Sequence, residues 1–140
     1  MGTTMIPLRE RIQWALEEDI WSGDVTTAAT VPKDRVGVAF AVTRESCVVS
    51  GMEAFRLVYE ILDPAVEVTV IHGDGSLVAP TTTLAMLRGP LRSILTGERT
   101  ALNLVQRLSG IATCTHRLVE AVRGTGCPIL DTRKTTPMWR

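Results

Sequence analysis

Cysteine is scarce and carries no pattern. The sequence has 3 in 140 residues, Cys47, Cys114 and Cys127, far apart and without a CxxC pair, which excludes a disulfide framework and a thiolate metal site and makes a reducing cytoplasm the simplest location. Net charge is absent too: 15 basic side chains face 15 acidic ones, so no general attraction to nucleic acid or to an anionic membrane follows. No stretch approaches the roughly 18 apolar residues of a membrane span, and MGTTMIPLRERIQW has no apolar run behind a basic start, so neither a spanning segment nor an export signal is expected. The phosphate-loop, nucleophile-elbow, zinc-helix and dinucleotide fingerprints are missing. His72 and His116 have no Cys, Asp or Glu at ligand spacing, and no metal ligands are expected.

What is present suits one compact domain: 15.3 kDa, 45% hydrophobic, mean hydropathy +0.17. That is too short for an eight-stranded β/α barrel, which takes about 200 residues or more. Charge is uneven along the chain. Residues 1–97 hold 8 basic and 12 acidic side chains and residues 98–140 hold 7 and 3, so the last third is the place for an anionic ligand.

Apolar spacing predicts a helix over Ile6 to Ile20, capped by Thr4 with Pro7 in its first turn. A polar loop, WSGDVTT, follows. Val36 to Thr43 and Cys47 to Ser50 read as neighbouring strands of a hairpin or meander. Ser50 can cap a helix over Met52 to Leu62, ended by Asp63-Pro64. Val66, Val68 and Val70 alternate with polar residues as a half-buried strand; after the Gly73-Asp74-Gly75 turn, Leu77-Val78 and Thr83 to Leu87 continue the sheet around a bend at Pro80. Beyond Gly89-Pro90, apolar residues recur at helical spacing to Val122, as one or two packed helices with a break near Ser109-Gly110. Gly124-Thr125-Gly126 stops them, and Pro128 to Leu130 reads as a short strand. A strand with ten residues after it lacks a partner, so the chain is expected to be part of a larger β/α domain.

Two segments could carry chemistry. Asp131-Thr132-Arg133-Lys134-Thr135-Thr136 places two cations and three hydroxyls at a strand end, a receptor for carboxylates or phosphates. Gly97-Glu98-Arg99-Thr100-Ala101-Leu102-Asn103 places Arg99 and Asn103 on one helix face, with Arg107 and Ser109 further along. In both cases the plain alternative is a solvated polar surface. Asp19, Asp24 and the Glu17-Glu18 pair read as capping or solvated carboxylates.

With ALEEDIWSGDVTT at 15–27, RESCVVSGMEAF at 44–55, GERTALNLVQRLSGIATCT at 97–115 and GTGCPILDTRKTTP at 124–137, the sequence resembles the type II quinolinate phosphoribosyltransferase family. The resemblance implies an α+β N-terminal sandwich domain (residues 1–100) followed by the start of an incomplete α/β barrel, helices and first strand (residues 101–140), in chains roughly twice this length. It implies conversion of quinolinate and phosphoribosyl pyrophosphate, with Mg2+, to nicotinate mononucleotide, pyrophosphate and CO2 in NAD synthesis. Arg99 is similar to the arginine that the family lends to the neighbouring subunit's quinolinate site. Arg133 and Lys134 resemble the pair that holds quinolinate and the phosphoribosyl donor, Lys134 also as the catalytic cation, with Thr132 beside them. A homodimer or larger homo-oligomer follows, without nucleic acid or membrane. The magnesium-side carboxylates of the family fall outside the matching positions, so this chain alone is expected to be inactive. Two alternatives stand: a paralogue such as the molybdenum-transport-associated relatives, with another anionic substrate, and a non-catalytic dimerising module. Binding of quinolinate by this chain separates the last from the others.

Overall fold

A computed structural model describes residues 6–136. Helix α1 (Leu8–Ile20) starts one turn's edge later than apolar spacing predicts, with Pro7 just before it accepting from the Glu10 and Arg11 amides. Thr4, the predicted cap, lies outside the described residues. Ile12 and Leu16, four apart, are the buried positions of α1. Arg9 reaches across to Glu60 at 2.7 Å, and Arg56 holds the same carboxylate at 2.6 Å.

The predicted loop after α1 is partly helical: α2 (Val25–Thr30) starts at Asp24, whose Oδ1 accepts from the Thr27 amide at 2.9 Å. Six residues are too few to show a period, so the cap is the only local signal.

Strands β1 (Val36–Val42), β3 (Glu67–Val70) and β5 (Thr83–Pro90) form an antiparallel sheet in the order β1-β5-β3. The two-residue strands β2 (Cys47–Val48) and β4 (Leu77–Val78) pair only with each other. The predicted hairpin between the β1 and β2 segments is therefore not formed, nor does β4 continue the main sheet. Helix α4 (Leu91–Ala121) takes up the backbone of the β2 region instead: Thr113 Oγ1 accepts from the Val48 amide and Ser109 Oγ from the Ser50 amide, at 2.9 and 3.0 Å.

Helix α3 (Met52–Leu62) is capped from a distance. Ser50 does not cap it; Asp74 Oδ1 accepts from the Met52 amide at 2.9 Å. Gly51 precedes the helix at φ +97°, where a side chain would be strained, and an added Cβ would lie 2.7 Å from Leu108 Cδ1.

Helices α3 and α4 cover one face of the sheet, with α1 packed on those two helices, and the core lies between: Phe55, Val58, Tyr59, Ala85, Leu87, Ile94 and Ala101 are all buried. The alternation on β1 runs contrary to size. Val36, Val38, Phe40 and Val42 are exposed, while Gly37, Ala39 and Ala41 point to the helices. Leu91 explains this, since its Cδ1 would be 3.1 Å from a Cβ at Gly37. The start of α4 lies too near β1 for large side chains there.

α4 is a single 31-residue helix with no break at Ser109-Gly110. The boundary drawn between residues 100 and 101 falls inside it. After α4 the chain turns through Gly124 and Gly126, both at positive φ, and continues to Thr136 without regular structure. The strand expected at Pro128 to Leu130 is not formed: no described segment pairs with it, and Leu130 is 80% exposed. A strand needs a neighbour to take its backbone groups.

Candidate functional site

The arginine-bearing turn of α4 is fixed from two sides. At Gly97 the helix crosses α3 so closely that a Cβ would be 2.8 Å from Tyr59 Cε1. On the other side, α2 is clasped at both ends by α4. Arg92 donates to the Val31 and Ala28 carbonyls at 2.8 and 2.9 Å, which places a cation at the C-terminal end of the α2 dipole. Thr96 Oγ1 donates to Asp24 Oδ2 at 3.1 Å, at the N-terminal end. These contacts set the α1–α2 connection against the next turn of α4, which carries Arg99.

There an open cleft of about 350 Å³ is lined by Ala15, Glu18, Asp19, Arg99, Thr100, Asn103 and Leu104. Asp19, three-quarters shielded, lies at its floor: Oδ1 is 3.2 Å from Arg99 Nε, and Oδ2 accepts from Thr100 Oγ1 at 3.5 Å. The Arg99 side chain is 70% exposed. Hydrogen bonding from Thr27, then that from Thr96 and the nearby Arg99 charge, holds the Asp24 carboxyl below its ordinary range. Arg99 thus lies among carboxylates on its protein side while its charge stays in reach of solvent. A planar fork so held can take a carboxylate or phosphate in two parallel contacts.

Arg99 and Asn103 meet in the cleft, as their four-residue spacing predicts. Arg107, two turns along, donates to Thr136 Oγ1 at 3.2 Å and so ties the cationic tail to α4. Ser109 is not on this face; it is buried and bonded to Ser50. Thr132, Arg133 and Lys134 are exposed on the irregular tail and do not line the cleft, though Thr132 Oγ1 accepts from the Lys134 amide at 3.3 Å. Asp19, expected as a capping or solvated carboxylate, and Thr100, given no role of its own, are cleft residues. Nothing local marks them, because their pairing joins helices eighty residues apart.

Among the described residues, no group of three or more His, Cys, Asp or Glu side chains converges to hold a metal ion. Asp19 is engaged by Arg99 and Thr100, which leaves Glu18 as the other carboxylate of the cleft. That donor set does not fit magnesium, which takes six oxygens in near-octahedral array. No described helix is long and apolar enough to cross a membrane.

An α+β domain with an arginine presented between its first and last helices is the class that fold and cleft define. Residues 24–109 match the family model described as quinolinate phosphoribosyl transferase, N-terminal domain, and the chain belongs to that family. It is 44% identical over 125 residues to a probable nicotinate-nucleotide pyrophosphorylase (carboxylating) of Synechocystis, covering 89% of this chain and 42% of that one. It is 42% identical over 132 residues to the nicotinate-nucleotide pyrophosphorylase (carboxylating) of Mycobacterium leprae, covering 92% and 46%. The solved nicotinate-nucleotide pyrophosphorylase of Francisella tularensis superimposes with a TM-score of 0.89 at 36% identity, over 95% of this chain and 49% of that one. The chain therefore spans about half the length, or somewhat less, of the relatives it matches.

Proposed function

We propose that this chain supplies the N-terminal part of a quinolinate phosphoribosyltransferase, acting in the cytoplasm in NAD synthesis. The observation that carries the reading is Arg99, held at Nε by Asp19 at the edge of an open cleft with most of its side chain in solvent. Family membership adds the substrate class. Arg99 grips a quinolinate carboxylate in a neighbouring subunit's site, and Thr132, Arg133 and Lys134 hold quinolinate and the phosphoribosyl donor, in a segment that forms the first barrel strand when pairing partners are present. Magnesium accompanies the donor, its ligands being other than the residues described here.

The chemistry brings two carboxylates and a pyrophosphate together, and cations already in place lower the cost of gathering that charge. Arg99, Arg133 and Lys134 bind and orient. The ring nitrogen of quinolinate displaces pyrophosphate at the ribosyl carbon. The carboxylate next to that nitrogen then leaves as CO2, its bonding electrons drawn toward the quaternised ring, and the carbon takes a proton. The exposed row Val36, Val38, Phe40 and Val42 supports assembly into a homodimer or larger oligomer, since contiguous apolar patches mark contact surfaces.

The test is quinolinate binding by the full protein. Arg99→Ala and Arg133→Ala are each expected to weaken it by about 1–3 kcal/mol, the worth of a charged hydrogen bond. A change within two-fold in either refutes its assigned role, and a strictly monomeric active enzyme in the ultracentrifuge refutes the shared site.

A further inference from the structure

Arg99 enters the cleft from an exposed helix face, and a long cation in that setting samples many rotamers unless something holds it. Three observations show what does. Asp19 Oδ1 is 3.2 Å from Arg99 Nε, and the aspartate is itself only 25% exposed. Its second oxygen takes the hydroxyl of Thr100, the next residue of α4, at 3.5 Å. One turn earlier, Thr96 Oγ1 donates to Asp24 Oδ2 at 3.1 Å and ties the α1–α2 connection to the same helix. The contact at Nε is an ion pair, and no nitrogen of the Arg99 guanidinium makes a hydrogen bond to a described residue.

We infer that Asp19 is a positioning residue: it holds the Arg99 guanidinium by Nε and leaves the Nη1/Nη2 edge as a ready fork for one carboxylate of a dicarboxylate ligand. The ligand class rests on the function proposed above, whereas the Asp19–Arg99 coupling does not. A guanidinium has two edges able to bind carboxylate in parallel contacts, and occupying Nε directs an incoming carboxylate to the other. Asp19 also opposes an anion by its charge. For a partly solvated carboxylate at physiological salt that opposition is weak, so orientation decides the outcome.

The experiment takes the 140-residue chain with Asp19→Ala, Asp19→Asn and Arg99→Ala, at physiological salt, with melting curves to confirm folding. The first readout needs no ligand: solvent exchange of the Arg99 Nε proton in the nitrogen-15 spectrum, assigned by its loss in Arg99→Lys. Exchange is expected to speed up several-fold in Asp19→Ala and in Asp19→Asn alike, since both remove the carboxylate charge that pairs with Nε. The second is titration with quinolinate, expected to weaken by roughly 2- to 12-fold in Asp19→Ala, the cost of ordering one long side chain. That loss should vanish in the Arg99→Ala background.

Unchanged Nε exchange overturns the inference, as does tighter binding by Asp19→Ala or an equal loss in the Arg99→Ala background. Should the unsubstituted 140-residue chain fail to bind quinolinate, Nε exchange alone upholds or overturns the positioning role, and the ligand reading is decided by the titration of the full protein. If Asp19→Ala does not fold, Asp19→Asn carries the same comparison.

Discussion

Helix α4 contains two glycines within fourteen residues, and their environments predict opposite outcomes for one substitution. A Cβ at Gly97 would sit 2.8 Å from Tyr59 Cε1 and 3.2 Å from Leu62 Cδ2, where ordinary contact begins at 3.4 Å. Tyr59 cannot readily yield: it is 2% exposed, its ring meets Phe55 edge-on at 5.5 Å, and its hydroxyl donates to the Ile94 carbonyl at 3.4 Å. A Cβ at Gly110 meets nothing within 4 Å. Replacing a mid-helix glycine by alanine contributes about 1 kcal/mol at either place. At Gly97 alone it is opposed by overpacking of about 1–3 kcal/mol.

Gly110→Ala should therefore be stabilised by about 1 kcal/mol, and Gly97→Ala should fall below it by the whole crossing cost. At this chain length that separation is roughly 3 to 10 °C in melting temperature. Thermal unfolding followed by circular dichroism reads it directly. A Gly97→Ala protein that melts at or above Gly110→Ala would show that α3 and α4 do not cross this closely. The account of how Arg99, two residues on, is held in place would fail with it.

Further outcomes concern the core and its charges. The two phenylalanines should behave unlike each other at concentrations where the chain is monomeric: Phe55→Ala, at 1% exposure, is expected to lose about 3–5 kcal/mol in denaturant titration, whereas Phe40→Thr, at 58% exposure, should stay within about 0.5 kcal/mol. Equal losses would refute the assignment of faces on β1. Stability should also be bounded on both sides in pH. Asp24 and Glu60 lie below their ordinary values of 3.8 and 4.5, Glu60 chiefly through its hydrogen bond from Arg9. Their contribution is thus present above those values and lost as pH falls through the lowered ones. Tyr59 lies above its ordinary value of 10.0, through burial and the Glu98 charge, so its contribution is complete below pH 10.0 and lost as pH rises beyond. Melting curves across pH check both limbs, and Asp24→Asn with Glu60→Gln should flatten the acid one.

Much of the architecture is legible locally. The apolar spacing over Met52 to Leu62 and the alternation of Val66, Val68 and Val70 reproduce α3 and β3 to within two residues, because a helix or strand period is written inside the segment itself. The run after Pro90 gives α4, and the Arg99 to Asn103 spacing gives one wall of the cleft. What failed concerned partners. Cys47-Val48 was as good a strand for β1 as for β4, and only the path of α4, with Ser109 and Thr113 beside it, decides the pairing. Asp24 and Asp19 are both plausible caps, yet one caps and the other holds Arg99.

By itself, then, the sequence determined where α1, α3, α4 and the strands of the sheet lie, that the last third carries the positive charge, and through four motifs, the family. Tertiary structure decided which face of β1 is inside, which residue caps α3, and which carboxylate meets Arg99. The physical reason is range. A period or an N-cap acts over three or four residues of one chain segment, while a choice of face depends on how near another element comes, as Leu91 does to Gly37. Pro128 to Leu130 shows the same limit from the other side: its composition favours a strand, but the backbone bonds that would make it one must come from a neighbour, and no described segment lies alongside.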